Sequence, residues 1–345
     1  CSYLLQEGLF VGDVCYYYGD QGFNFVMPKH IDPSLGYGFD YDVTNPEVIL
    51  TRMTVRDGRL TLPDGMSYEL LVLPDREDID LEVLKKLEQL VRDGATVVGP
   101  KPTRSNGLRG YPERDEKVRQ LADRLWGDCD GETVLENSYG DGRIIWGREL
   151  RDILMERGIG PDFSFTNSRD DVDLDFIHRR TKNADIYFVH NKQPRWAEFE
   201  AEFRVQERSP ELWEPDTGQV IPQHVFERTP DTIAMPMQLA PYGSVFVVFR
   251  ESRKSSPGLS FDSPGNSTGI ETARVDAWDG SQAKLTVFKT GDYRVASVDG
   301  RSAEFHVENV PQPIELNGPW EVRFPDGRGA PSSAVFDELI SWTDH

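Results

Sequence analysis

A histidine and two arginines, His178-Arg179-Arg180, precede the segment A-D-I-Y-F-V-H-N, which ends in His190 and Asn191. Imidazole, guanidinium and amide groups at a strand end can exchange hydrogen bonds with sugar hydroxyls. His178, Arg179, His190 and Asn191 are therefore the candidate carbohydrate contacts. A plainer reading competes and is preferred: charges beside an acidic segment often form no more than a weak salt bridge where two domains meet.

Other constellations fall short of a site. Asp171, Asp173 and Asp175 alternate as calcium-loop ligands do, but Phe176 stands where such a loop needs glycine and Lys182 where it needs glutamate. Val172, Leu174 and Phe176 alternate as well, so the carboxylates read more simply as the wet face of a strand. Gly142 to Glu149 has the glycine spacing of a phosphate loop, yet its interior is apolar and Arg148-Glu149 replaces the required Lys-Ser/Thr pair. A nucleophile elbow after the strand ending at Val98 would need a cysteine or serine, and Gly99-Pro100-Lys101-Pro102 supplies neither. Trp278, Trp320 and Trp342 could stack on sugar rings, although their strand-like apolar neighbours favour burial. Glycoside cleavage takes two carboxylates at a defined separation. The many acids here single out no such pair, and no catalytic residue is assigned.

The elements that would position these residues divide into two kinds. Up to about Phe163, short apolar strands (Val11 to Tyr18, Tyr68 to Leu73, Ala95 to Gly99, Arg143 to Trp146) alternate with helical patterns over about Ile79 to Arg92, Asp115 to Trp126 and Arg148 to Arg157. Asn45-Pro46 reads as the cap and first residue of a further helix, Asp57-Gly58 as a hairpin turn and Gly94 as a helix stop. That alternation implies a parallel sheet with helices on both faces, of the flavodoxin-like or class I amidotransferase-like kind. Pro161 to Asp175 reads as a linker. Beyond it, Phe199, Ala201, Phe203 and Val205 alternate with Glu198, Glu200, Glu202 and Arg204, the pattern of a half-buried strand. Ile233 to Leu239 repeats the period, with Pro236 marking an edge, and Val245 to Phe249 is apolar throughout, as a strand covered on both faces would be. Trp213 is expected to plug one end of the resulting antiparallel β-sandwich. Further strand patterns, such as A-K-L-T-V-F and D-Y-R-V-A-S-V, extend it to about Val310, around a polar loop over Ser252 to Thr268.

With 345 residues the chain can bury two or three cores, and its net charge of −21 sets a field that repels polyanions, so neither nucleic acid nor a membrane surface is expected as a partner. The three cysteines, Cys1, Cys15 and Cys129, are scattered and odd in number, which excludes a disulfide framework and a metal knuckle. Cys15 reads as a small core residue. The opening C-S-Y-L-L-Q-E-G reads as the last turns of a helix already under way, so a piece of a longer polypeptide is expected.

The order A-D-I-Y-F-V-H-N, F-R-V, P-E-L-W-E-P-D-T-G and P-Y-G-S-V-F-V-V-F-R resembles the region after the catalytic barrel in the α-L-rhamnosidase-like enzymes of glycoside hydrolase family 106. The resemblance extends, more loosely, over nearly the whole chain. The combined expectation is an α/β plus all-β multidomain chain: a flavodoxin-like/class I amidotransferase-like parallel-sheet domain over 1–163, an antiparallel β-sandwich over 164–310, and the start of a truncated galactose-binding-like jelly roll over 311–345. The resemblance implies a non-catalytic scaffold of a carbohydrate-degrading enzyme. Its partners would be the missing upstream barrel and downstream β domains of the same polypeptide, together with carbohydrate. No cofactor is expected in this chain, calcium being left open for the intact enzyme, which the resemblance would place in the periplasm or outside the cell. The competing expectation is a stand-alone carbohydrate-binding or adhesion protein.

Overall fold

The computed structural model describes residues 1–19, 35–167, 172–251, 258–262, 273–297, 299–312, 314–338 and 340–341. It is mostly β-sheet. Among those residues, no helix is long and apolar enough to cross a membrane. Asp171, Trp342 and most of 252–268 lie outside the described residues.

A six-stranded sheet runs in the order Tyr41–Thr44, Val14–Tyr17, Leu70–Val72, Thr96–Val98, Gly142–Ile145, Glu136–Tyr139. All neighbours pair in parallel except the last two, which are antiparallel. Helices Pro46–Thr51, Leu81–Arg92 and Glu113–Trp126 share a core on one face, and helix Leu150–Glu156 packs on the other through Leu150, Ile153 and Leu154. The expected two-faced arrangement is thus present, and local chemistry sets its boundaries. Asn45 Oδ1 accepts from Val48 N at 3.0 Å, and Asp80 Oδ1 from Glu82 N at 2.7 Å, caps worth about 1 kcal/mol each. Asp57 and Gly58 both take positive φ in the turn that pairs Thr54–Arg56 with Arg59–Thr61. The sheet leaves no room over Gly142, where a Cβ would meet Val91 O at 2.2 Å and Ala95 O at 2.3 Å. Gly142→Ala is expected to lower stability by about 1–3 kcal/mol through overpacking against fixed backbone. An unchanged urea midpoint would show that helix Leu81–Arg92 can slide aside.

Two antiparallel sheets follow. One contains Leu9–Phe10, Leu174–Arg180, Ala184–Asn191, Ser244–Arg250, Ser209–Trp213 and Val220–Pro222 in that order; the other contains Phe163–Thr166, Ala197–Phe203, Ile233–Leu239 and Glu227–Arg228. Phe199, Ala201, Phe203, Ile233, Met235 and Met237 point into the shared core, with Val245, Val247 and Phe249 opposite. Pro236 pairs with Glu200 on one side, and on its other side the short strand Glu227–Arg228 reaches only Ala234 and Ile233, so the proline does sit on an open edge. Phe246 and Val248 face outward and are covered by Leu4, Leu5 and Trp213. Trp213 therefore lies over the outer face of a sheet, with the Arg250 guanidinium 5.3 Å from its ring, and does not close the sandwich end.

Three further expectations are corrected. Residues 4–6 form a single 3-10 turn in place of a helix end, and Leu9–Phe10 pairs with Arg179–Arg180, so the first ten residues join the sandwich instead of the α/β layer. Beyond residue 258 the strands do not extend the sandwich. They form their own small sheets, Leu259–Asp262 with Gly291–Ser297 and Ser302–Val307, and Ala273–Trp278 with Ala283–Val287, around a core of Leu259, Val275 and Val295. Trp278 is half-buried there, while Trp320 lies on a separate hairpin, Trp320–Arg323 with Ser333–Phe336.

Candidate functional site

Along the strand Leu174–Arg180, burial alternates so that Leu174, Phe176 and His178 all face inward. Across the hairpin His178 pairs with Tyr187, and the two rings stack with centroids 3.9 Å apart. An imidazole at the end of an apolar stripe needs polar partners, because burying it unpaired would cost several kcal/mol. It has two. His178 Nδ1 lies 2.9 Å from Asp162 Oδ2, and Nε2 lies 2.9 Å from Asp185 Oδ1. His178, Asp162, Asp185 and Asp13 expose 0%, 1%, 4% and 4% of their surface, so this is a buried ionic chain and not a solvated cluster.

Arginines extend the chain in both directions. Arg204 Nη2 donates to both carboxylate oxygens of Asp13, at 2.8 and 3.0 Å, and to Asp162 Oδ1 at 3.4 Å, while Nη1 donates to Gly160 O at 2.7 Å. Asp13 precedes the strand Val14–Tyr17, second from the edge of the α/β sheet, and Arg204 follows the sandwich strand Ala197–Phe203, so this pair ties the two layers together. On the far side Asp185 accepts from Arg180 at 2.5 Å and from Arg208. Tyr187 completes the set by donating its hydroxyl to Asp162 Oδ1 at 2.9 Å.

Protonation follows from this arrangement. Burial works against a charged His178, but the Asp162 and Asp185 carboxylates outweigh it and hold the imidazole above its ordinary pKa. Burial likewise works to raise Asp162, yet His178 and Arg204 hold its carboxyl below the usual carboxylate range. Asp185 is held at about 2 by His178 and Arg180 against the same burial. Asp13 goes the other way: burial prevails over Arg204 and pushes it up to about 6.

The outer members of the chain, Asp13, Arg204, Asp185, Arg180 and Arg208, line one side of a cleft of about 1210 Å3 between the α/β layer and the sandwich, whose walls include Arg59, Met66, Met155, Lys182, Glu202 and Asp231. Behind it, Glu69 donates its amide to Asp13 O at 2.8 Å and is clamped by Arg59 and by Arg157 at 3.1 Å. The cleft is large enough for a sugar chain or a polypeptide segment. Its buried carboxylates, Asp13 and Asp185, are already engaged by guanidinium groups.

The four candidate carbohydrate contacts do not converge. His178 has both ring nitrogens on carboxylates and keeps none for a hydroxyl. Arg179 donates to Glu7 O at 2.6 Å and Gly8 O at 2.8 Å, latching the N-terminal segment onto the sandwich. His190 and Asn191 sit toward the other end of the same hairpin, opposite Asp175 and Leu174; His190 is half-buried and Asn191 fully buried. Asp162, Asp13 and Arg204 were missed as members of the junction because they lie far apart in sequence. At the elbow position, a Cβ on Gly99 would fall 2.6 Å from Leu73 Cβ, so any side chain there, a nucleophile included, would meet the neighbouring strand end.

Residues 1–226 match the family profile described as alpha-L-rhamnosidase. The chain belongs to glycoside hydrolase family 106. This family-106 chain is similar to the solved structure of a rhamnosidase from Novosphingobium sp. PP1Y, with 26% identity and a TM-score of 0.71 over 98% of this chain and 28% of that one. It is also 34% identical over 262 residues to a Formosa agariphila protein named "Putative beta-glucuronidase", covering 75% of this chain and 21% of that protein. The family-106 chain thus spans between a fifth and a third of the length of the relatives it matches.

Proposed function

We propose that this chain is a scaffold portion of a carbohydrate-degrading family-106 enzyme that acts on α-L-rhamnosides, and that the acid and base cleaving the bond lie elsewhere in the intact polypeptide. The observation that carries the reading is the junction: its buried carboxylates are held by imidazolium and guanidinium groups, an arrangement suited to locking two layers together. The similarity to a rhamnosidase over 98% of this chain and only 28% of that structure supports it. The finer fold belongs to the same reading. Numbered along the chain, the parallel strands lie in the order 2-1-3-4-5, which supports a flavodoxin-like layer over 1–163 apart from the first ten residues. The hairpin Trp320–Arg323 with Ser333–Phe336, and the exposed Ile314 and Leu316 before it, fit the start of a jelly roll whose remaining strands would cover them. Its partners would be a barrel and β domains of the same polypeptide.

The purified chain is expected to release no aryl alcohol from an aryl α-L-rhamnoside, whereas the intact enzyme turns it over. Turnover by the isolated chain that disappears on substituting one of its own carboxylates would refute the scaffold assignment.

A further inference from the structure

Two guanidinium groups meet on one carboxylate at the wall of the cleft: Arg180 Nε donates to Asp185 Oδ1 and Arg208 Nη1 to Asp185 Oδ2, while the enclosed His178 Nε2 also lies on Oδ1. Each arginine has donors left over. Arg180 Nη1 and Nη2, and Arg208 Nε and Nη2, have no hydrogen-bond partner among the described residues. Both side chains line the cleft and are 50% and 17% exposed, so a ligand there can reach them. Arg59 lines the same cleft. Burial holds its pKa below the ordinary value; Asp13 opposes that shift, and Arg204, Arg180 and Arg157 add to it, which marks a group of cations crowded together. Guanidinium groups with free parallel N–H bonds are suited to an oxyanion, and an oxyanion would relieve the crowding.

The cleft also carries polar groups of the opposite kind. Glu202 accepts from Ser164 Oγ at 3.1 Å and from Thr232 Oγ1 at 2.8 Å, and Asp231 from Gln206 Nε2 at 3.0 Å. Neither carboxylate has a cationic partner among the described residues. A carboxylate accepts up to about four hydrogen bonds, so both keep lone pairs for hydroxyl donors. Five basic and five acidic side chains line the cleft, which makes it formally neutral in a chain that carries −21. An inorganic anion would use the guanidinium groups alone, and an acidic peptide would set its further carboxylates against Glu202 and Asp231. An acidic sugar chain offers an anion to the one group and hydroxyls to the other.

We propose that the cleft between the α/β layer and the sandwich binds an acidic oligosaccharide. Arg180 and Arg208 take the carboxylate or sulfate ester of one sugar residue, and Glu202 and Asp231 accept from hydroxyls of the chain. The inference deepens the glycoside hydrolase reading and rests on it for the ligand being carbohydrate.

The test is titration calorimetry of the full chain at neutral pH and low salt. The probes are a galacturonate tetrasaccharide, its methyl ester, a sulfated galactan tetrasaccharide and a tetra-aspartate peptide. The galacturonate or the sulfated probe is expected to bind, the stronger of the two showing which oxyanion fits, and the methyl ester to bind about tenfold more weakly or not at all. Arg180→Gln should weaken the acidic sugar about tenfold, since Arg208 and His178 still hold Asp185. Gly160 also lines the cleft, and a Cβ there would meet nothing within 4 Å, so Gly160→Trp fills space without removing an ion pair. It should abolish binding at an unchanged thermal midpoint, and it decides the matter should Arg180→Gln fail to fold. Equal affinity for the galacturonate and its methyl ester, tighter binding of the peptide than of either acidic sugar, or no binding of any probe would overturn the proposal. Those outcomes leave the glycoside hydrolase reading standing, because turnover of an aryl α-L-rhamnoside by the intact enzyme tests it separately.

Discussion

Replacing His178 by alanine is expected to destabilise the chain by about 3–5 kcal/mol, the usual penalty for removing one partner of a buried ion pair. Asp162 would keep the Tyr187 hydroxyl and the longer contact to Arg204, and Asp185 would keep Arg180 and Arg208. Each carboxylate would nonetheless lose the cation that is entirely enclosed with it. The stacking partner of Tyr187 would vanish too, leaving a void that the fully buried strand pair cannot easily close. Folded domains typically have only about 5–15 kcal/mol to lose, so one side chain should account for a large share. The matched comparison is His190→Ala on the neighbouring strand, where the ring is half-buried; a loss below about 1 kcal/mol is expected there. Urea unfolding of both variants at pH 6, followed by near-ultraviolet circular dichroism, decides the matter. Equal midpoints would remove the imidazolium from the account of the junction.

The contrast between these two histidines also shows what was legible in the sequence. Leu174, Phe176 and His178 share one parity, and a histidine continuing an apolar stripe is a signal of burial with partners. The adjacent Arg179 and Arg180 drew attention to exposed charge instead. That the outcome is a junction contact was readable; that it is buried and ionic on both sides was not, because Asp162 lies 16 residues away and the next link, Arg204 to Asp13, spans 191. Local periodicity carries no information about which distant carboxylate a guanidinium will meet.

The same division holds for the fold. Helix Leu81–Arg92, the Asp57-Gly58 turn and the burial of Phe199, Ala201 and Phe203 are set by caps, turn chemistry and parity within a dozen residues, and all were legible. The docking of Leu4, Leu5 and Leu9–Phe10 on the sandwich was not. A two-residue strand has no period to read, and its partner lies about 170 residues downstream. The strands after 258 were recognisable as strands, but period-two alternation states only which face is buried, never which sheet it is buried against. They packed on one another.

The junction makes stability depend on pH in an unusual direction: the chain is expected to be most stable near pH 4–5 and to lose stability steadily toward pH 8. A carboxyl whose pKa is raised by folding holds its proton more tightly in the folded chain, so stability falls as pH climbs from the unfolded to the folded value. Asp13 moves from 3.8 to about 6, and Glu200, through burial and the nearby Glu227, from 4.5 to about 7. His178, raised from 6.5, contributes fully below that value and loses its contribution as pH rises through its folded pKa. Opposing these are Asp162 and Asp185, lowered from 3.8; their contribution is present above that value and drains away as pH falls toward 2. The window where all five groups are favourably protonated or ionised is therefore mildly acidic. The formal charge of −21 adds a trend of the same sign, since self-repulsion relaxes as carboxylates begin to protonate. To separate the two, the urea midpoint of Asp13→Asn should be compared with the wild type from pH 4 to pH 8. Substitution leaves the global charge trend nearly intact but removes the Asp13 contribution, about 3 kcal/mol for a shift of that size, so the variant should gain on the wild type as pH rises from 4 to about 6 and hold that gain above it. If instead the wild type strengthens from pH 5 to pH 8, or the two curves stay parallel, then Asp13 is not a buried acid forced to ionise by rising pH, and Arg204 holds it as an ordinary ion pair.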